Sequence, residues 1–356
     1  MSSSPRSSNS SKISRLRLPA IAALVALAPG CSPVDEWREN ERFAMGTAVV
    51  SVHRSDPETD ERALQVQVDS LLAREGSDYY AWGNGELARL NTALAAGESF
   101  SASPELVALL EHAGSLSRRS GGRFDPGVGA MVEAWGFHDA RNEPSQPPAQ
   151  LLAAWTEMPR SIADLAIDGD RIGSEHPLVI DLGGIAKGAI VDRVLEVFAR
   201  AGVEDVLVDA GGDVRVLGRR GDRAWTIGIQ APRAATDLIG SIELRSGEAA
   251  FTSGDYERYF DTAAGRSHHL LDPRSGLPAT HTQAVTVLAE NGALADAAAT
   301  ALFVAGPEDW RAVAMALGIS HVLRVGADGV IEMTDAMRER VRMQAGAEPA
   351  TMSTGP

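Results

Sequence analysis

Apolar residues recur along this chain at two spacings, and each spacing predicts an element. TAVVSVH (47–53) has the pattern of a first strand. In DERALQVQVDSLLAREGSDYY (60–80), Leu64, Val68, Leu71 and Leu72 recur at helical spacing. SPELVALLEHAGSLSRRSGGRF (103–124) is a second helix, opened by Ser103 with Pro104 in its first turn and closed by Gly121 and Gly122. RNEPSQPPAQ (141–150) is a proline-rich surface connector. HPLVIDLGG (176–184), a helix from about Ala189 to Ala201, and VEDVLVDAGGDVRVLG (203–218) form a strand–helix–strand unit. Both of its strands end in an apolar residue, an aspartate, one further residue and two glycines, at Asp181 and Asp209. AWTIGIQAP (224–232) and GSIELRSGEAAFTSGD (240–255) add strands whose short connections suit antiparallel pairing, and QAVTVLAE (283–290) adds another. ALADAAATALFVAG (293–306) is an alanine-rich helix. The mixed order predicts an α+β fold: mixed, largely antiparallel sheets with packed helices.

The N-terminus breaks these patterns. MSSSPRSSNSSKISRLR (1–17) is polar and carries only positive charges, and LPAIAALVALAPG (18–30) is a short apolar run ending in small residues. That is the layout of a bacterial secretory signal, too short to span a bilayer as a mature helix. Cys31, the only cysteine, stands at the expected cleavage point, so residues 1–30 read as a lipoprotein signal with the lipid on Cys31. The expectation is an exported, membrane-anchored chain facing the periplasm, and Ser32 in place of Asp leans toward the outer membrane. Residues 31–42 read as a tether, 43–342 as a single catalytic domain, and 343–356 as a disordered tail. One cysteine leaves no partner for a disulfide, so stability must come from packing.

The 356 residues, 44% of them hydrophobic, are ample for a full core. A formal charge of −15 argues against a polyanion-binding surface, so nucleic acid is not an expected partner. A nucleotide can still bind through local dipoles and a metal ion. The basic residues carry a sharper signal. Of the 33 lysines and arginines only Lys12 and Lys187 are lysines, and Lys187 sits in VIDLGGIAKGAIVDRV (179–194). Glycines between a strand and a helix let backbone N–H groups approach an anion, and a compact ammonium there is not interchangeable with a guanidinium fork. The alternative is a tight strand-to-helix turn with no ligand.

Two further segments carry chemistry. In ADAAATA (295–301), Asp296 and Thr300 are four apart and project from one helix face. Hard oxygens so placed suit Mg²⁺; the alternative is a solvated Asp and a Thr bonded back to its own helix. RSHHLLDPRSG (266–276) sets adjacent histidines before a turn, where one is able to serve as a base or simply be hydrogen-bonded.

FAMGT (43–47), ELARLN (86–91), FDPGVGAMVEAWGF (124–137), IDLGGIAKGAIVD (180–192), VDAGGD (208–213), FTSGDY (251–256), HHLLDPRSG (268–276) and ADAAATALFVAG (295–306) occur in the order seen in the ApbE family. The chain resembles these bacterial FAD:protein FMN transferases over about Phe43 to Gly306, which implies an ApbE-like, T-fold-related domain. The resemblance implies cleavage of FAD between its phosphates with Mg²⁺, transfer of FMN to a threonine of a partner protein, and release of AMP. Implied partners are FAD and acceptor proteins such as subunits of ion-translocating redox complexes. By the same resemblance Asp296, Thr300 and the Gly184 carbonyl would hold Mg²⁺. Met45, Trp82, Arg123, Phe124, Asp125, Asp181, Lys187 and Leu270 would contact FAD, and His269 and Asp255 are the catalytic candidates. Water as acceptor would make the same site an FAD pyrophosphatase, and a site without catalysis a flavin-binding lipoprotein.

Overall fold

The computed structural model describes residues 37–56, 58–138, 145–262 and 265–345. Its centre is an eight-stranded sheet with the spatial order Trp37–Ala44, Thr47–Arg54, Val206–Ala210, Asp213–Leu217, Ala249–Gly254, Thr282–Ala289, His321–Gly326 and Ile331–Met333. Every neighbouring pair in it is antiparallel. The helices are α1 (Glu61–Asp78), α2 (Glu86–Ala95), α3 (Pro104–Arg119), α4 (Gly129–Trp135), α5 (Ala149–Glu157), α6 (Ala186–Arg200) and α7 (Gly292–Leu317), with a short turn at Asp335–Arg338. The expected α+β class with antiparallel sheets is what the chain adopts.

Thr282–Ala289 explains why the sheet has two cores. Val285 and Val287 join the core under α6 and α7, while Ala284 and Leu288 pack on the opposite face. There a three-stranded sheet of Val341–Met343, Ala234–Leu244 and Trp225–Ala231 covers them. A strand buried on both faces reads as a continuous apolar run, which is how QAVTVLA appears in the sequence.

VDAGGD forms a hairpin. Gly211 and Gly212 have φ of 70° and 100°, the positive values that a two-residue turn matched to strand twist requires. A different glycine pair brings two helices together. A Cβ on Gly188 of α6 would lie 2.1 Å from the carbonyl oxygen of Gly292, so only glycine permits this approach to the start of α7. Asp192 of α6 then accepts the Gly292 and Ala293 N–H groups at 2.6 and 3.1 Å, capping α7 from across the interface. The alanine-rich run ends where expected. Gly306 leaves helical geometry at φ 70° and Pro307 opens a second helical segment.

Several expectations need correction. HPLVIDLGG belongs to no sheet, and its two glycines already lie in the turn before the helix. Leu178, Ile180 and Leu182 are buried at every second position, yet the Ile180 backbone bonds to the Asn91 side chain, whose Nδ2 donates to its carbonyl and whose Oδ1 accepts its N–H. Period-two burial reports an extended backbone and not a ladder. The helix after it starts at Ala186, so Lys187 lies in its first turn. The tether expected to reach Arg42 becomes a strand at Trp37. WRENERFA is polar because it is the edge of the sheet, paired only with Thr47–Arg54. The signal segment 1–30, Cys31, residues 141–144 of the connector and 346–356 of the tail lie outside the described residues.

Candidate active site

The site grows from the crossing of α6 and α7. Asp181 Oδ1 accepts the Gly183 N–H at 2.8 Å and closes the turn ahead of α6. That turn presents Gly184 to α7: a Cβ there would sit 3.2 Å from Thr300 Oγ1 and 3.4 Å from Phe124 Cε2. One turn before Thr300, Asp296 Oδ2 accepts the Gly188 N–H of α6 at 3.0 Å. Gly184, more than a hundred residues earlier in the chain, is thereby adjacent to Asp296 and Thr300. Ser253 Oγ lies 3.3 Å from Thr300 Oγ1 and adds a hydroxyl. Phe124 is buried and forms the floor under Gly184, and Leu270 is buried in the same core.

Lys187 points toward the second Gly-Gly turn and pairs with Asp213. The other Asp213 oxygen accepts the Thr252 N–H at 2.8 Å. Burial opposes the ammonium, but Asp213, Glu257 and Asp296 outweigh it and hold the Lys187 pKa above its ordinary value, so the charge is permanent. The surrounding carboxylates move upward. Burial pushes Asp296 up to about 7, with Asp213 and Glu257 adding repulsion against the relief from Lys187 and the Gly188 N–H. Asp209 rises to about 6, chiefly by burial, although it accepts the Gly212 N–H at 2.7 Å. Asp181 is raised by desolvation too. The Lys187 ammonium thus faces Asp213, Glu257 and Asp296, while Arg258 eases the charge on Asp181 and Glu257.

The adjacent histidines separate completely. His268 is buried, with Nε2 donating to the Ala279 carbonyl at 2.7 Å and Nδ1 accepting the Leu270 N–H at 3.3 Å. Its ring meets Phe303 edge-on. Both nitrogens are occupied, so His268 is structural. The Nδ1 of His269 lies 3.2 Å from the Arg258 carbonyl, an acceptor, so Nδ1 carries the proton and Nε2 keeps its lone pair. Desolvation, then Arg258 and His268, hold the His269 pKa well below 6.5, and Lys187 contributes to the same field. Trp135 and Trp155 brace the turn that follows, donating from Nε1 to the Gly276 and Pro273 carbonyls at 2.8 Å each.

Three expected site residues are engaged elsewhere. Asp125, expected at FAD, is 6% exposed and accepts from Gly127 N, Ile162 N, Ser117 Oγ and Ser161 Oγ at 2.5–2.8 Å. Its carboxylate knots α3 to the 161–162 turn and has no capacity left for a ligand. Arg123 is turned to Asp309 beyond the α7 kink. Asp255, a catalytic candidate, is held in a fork by Arg233. Met45 stands at a hairpin tip with φ 54°, over a cavity of about 360 Å³ that Leu72, Ala73, Gly76 and Ser77 also line. Trp82 is partly buried against His138, ring centroids 5.1 Å apart. Asp213, Ser253 and Glu257 are site residues without a sequence signal of their own beyond the motifs VDAGGD and FTSGDY that hold or adjoin them. Among the described residues there is no group of three or more His, Cys, Asp or Glu able to hold a metal alone, so a cation here must draw on hydroxyl and carbonyl oxygens.

The model of the ApbE family matches residues 45–323, a span containing all of these groups. The chain belongs to the ApbE family. It is 41% identical over 340 residues to the FAD:protein FMN transferase of Rhodobacter capsulatus, covering 94% of this chain and 64% of that one. This ApbE chain therefore spans less than two thirds of that relative's length. A second FAD:protein FMN transferase, from Vibrio cholerae, is 32% identical over 316 residues, 87% of this chain and 94% of its own. Among solved structures, the ApbE protein from Thermotoga maritima superposes with a TM-score of 0.79 at 32% identity, covering 86% of this chain and all of that one.

Proposed function

We propose that this ApbE chain cleaves FAD between its phosphates and transfers the FMN half to a threonine hydroxyl of a target protein, releasing AMP. The observation that carries the reading is the convergence of Gly184, Asp296 and Thr300 beside Lys187, with His269 held through Nδ1 on the Arg258 carbonyl. Hard oxygens with a buried carboxylate raised to about 7 are the donor set of a divalent cation, and Mg²⁺ suits it. Asp296, Thr300 and the Gly184 carbonyl would hold that ion, which when bound neutralises charge on the diphosphate oxygens. Lys187 supplies a fixed positive charge for the flavin nucleotide. The threonine oxygen forms a bond to the FMN phosphorus as the bond to the AMP oxygen breaks. His269 Nε2 takes the hydroxyl proton, and the Arg258 carbonyl steadies the imidazole that gains it.

The deciding experiment mixes the protein with FAD, Mg²⁺ and an exported flavoprotein subunit that carries an acceptor threonine, then weighs the acceptor intact. A gain of one FMN, matched by AMP, is expected. AMP without a modified acceptor would make the chain an FAD pyrophosphatase, and retained FAD with no AMP a carrier.

We also place the chain outside the cytoplasm, held to a membrane facing the periplasm by a lipid on Cys31. The support is the layout of residues 1–31. Cells fed labelled palmitate should label the wild-type chain and not Cys31→Ser; equal labelling of both would remove the anchor.

A further inference from the structure

Asp255 joins three separate segments around His269. Arg233 donates to it as a fork, Nη1 to Oδ1 and Nη2 to Oδ2, both at 2.6 Å. Arg266 Nη1 stands 3.9 Å from Oδ1, with its guanidinium 3.7 Å over the Tyr259 ring. Arg233 lies in the two-residue turn between Ala231 and Ala234, at the tip of a hairpin of the smaller sheet. Asp255 follows the strand Ala249–Gly254 of the central sheet, and Arg266 belongs to the strand Gly265–His268 that leads into His269.

The loop that starts at Asp255 is anchored by Tyr256, which packs on the second core, by Glu257 facing Lys187, and by two backbone bonds. The Asp255 N–H donates to the Gln283 carbonyl at 3.0 Å, and the Glu257 N–H reaches the Gly254 carbonyl at 3.5 Å. The loop's last residue, Arg258, offers the carbonyl that accepts both the backbone N–H of His269 at 3.1 Å and its Nδ1–H at 3.2 Å. Whatever fixes the loop fixes the orientation and tautomer of that imidazole. A planar guanidinium bonded through two nitrogens to both carboxylate oxygens leaves Asp255 no rotation, a constraint that an ammonium does not reproduce.

We propose that Arg233 is a positioning residue for His269, acting through its fork on Asp255 and the 255–258 loop. The proposal rests on His269 being the proton acceptor of the transfer. It gives the smaller sheet a part in the reaction, since its hairpin tip sets the geometry of a group on the other side of Asp255. It also accounts for a buried aspartate in FTSGDY whose two oxygens are both bonded to Arg233.

The test compares Arg233→Ala, Arg233→Lys, Asp255→Asn and the Arg233→Ala/Asp255→Asn double variant in the full chain. Transfer kinetics are read with FAD and an acceptor protein, and ¹⁵N-histidine NMR reads the His269 tautomer. Arg233→Ala should lower kcat about 10- to 100-fold, the scale of lost outer-shell support, with the KM for FAD within about twofold. Its spectrum should show His269 Nε2 partly protonated. Arg233→Lys should recover part of the rate, and the double variant should be no slower than Asp255→Asn, because the two residues act as one unit. An unchanged tautomer in Arg233→Ala, or equal losses in FAD binding and kcat, overturns the proposal. Should Arg233→Ala not fold, Arg233→Lys decides on the same two readouts. His269→Ala in parallel separates the premises: near-normal transfer there would remove the histidine as base, while the tautomer spectra still judge the latch.

Discussion

Asp296→Ala should lose Mg²⁺-dependent turnover by more than about 100-fold, since even partners outside the metal's own ligands cost 10- to 100-fold. Its helix should survive. Alanine is the best helix former, and the residue is followed by three alanines in α7. What disappears is one oxygen of the proposed cation site and the acceptor of the Gly188 N–H. Asp296→Asn separates the two losses, because an amide oxygen still accepts that N–H but brings no charge. The pH dependence follows from the carboxyl's pKa of about 7 in the folded protein. A raised pKa means that the folded chain binds a proton which the unfolded aspartate has already released above about pH 4. The stability lost to its burial therefore builds as pH rises from about 4 to about 7 and is complete above 7. In metal-free protein Asp296→Asn should raise the melting temperature more at pH 8 than at pH 5. Added Mg²⁺ should stabilise the wild type at pH 8 and not the variant. Thermal melts at both pH values, with and without Mg²⁺, check this; equal Mg²⁺ shifts in both proteins would remove Asp296 as a ligand.

The second large effect falls on His269. His269→Ala should slow FMN transfer by about 10²–10⁴-fold, the usual contribution of a positioned general base. FAD binding should stay within a few-fold, because the ring is held by a backbone carbonyl and not by the cofactor site. The neutral imidazole is the working form, and desolvation with Arg258 keeps its pKa well below 6.5. Loss of the base through protonation should then appear only below that pH. A stopped assay of acceptor modification from pH 5 to 8, run at saturating Mg²⁺, reads both effects. Near-normal transfer by the variant, or a rate that falls through 6.5 as an unperturbed histidine would, counts against the assignment.

How much of this was legible in the residues depends on how local each feature is. The Asp296 and Thr300 pair was legible because a spacing of four on a helix places two side chains on one face whatever surrounds them. The Gly211–Gly212 turn and the break at Gly306 were legible for a similar reason, since they answer to the backbone's own steric limits. The edge strand Trp37–Ala44 was not, because an edge facing solvent has no apolar alternation to display. HPLVIDLGG misled in the opposite sense: its alternation is genuine, but its Ile180 backbone pairs with a side chain 89 positions away instead of a strand.

The aspartates mark the boundary most clearly. By itself the sequence determined the periodic helices and strands, the turns, the helix face bearing an acid and a hydroxyl, and the order of motifs. Only the tertiary structure decided that Asp125 is saturated by four donors, that Asp255 belongs to Arg233, and that Asp213 holds Lys187. Identical carboxylates differ in role through burial and through donors contributed by distant segments. Neither quantity exists until the chain has folded.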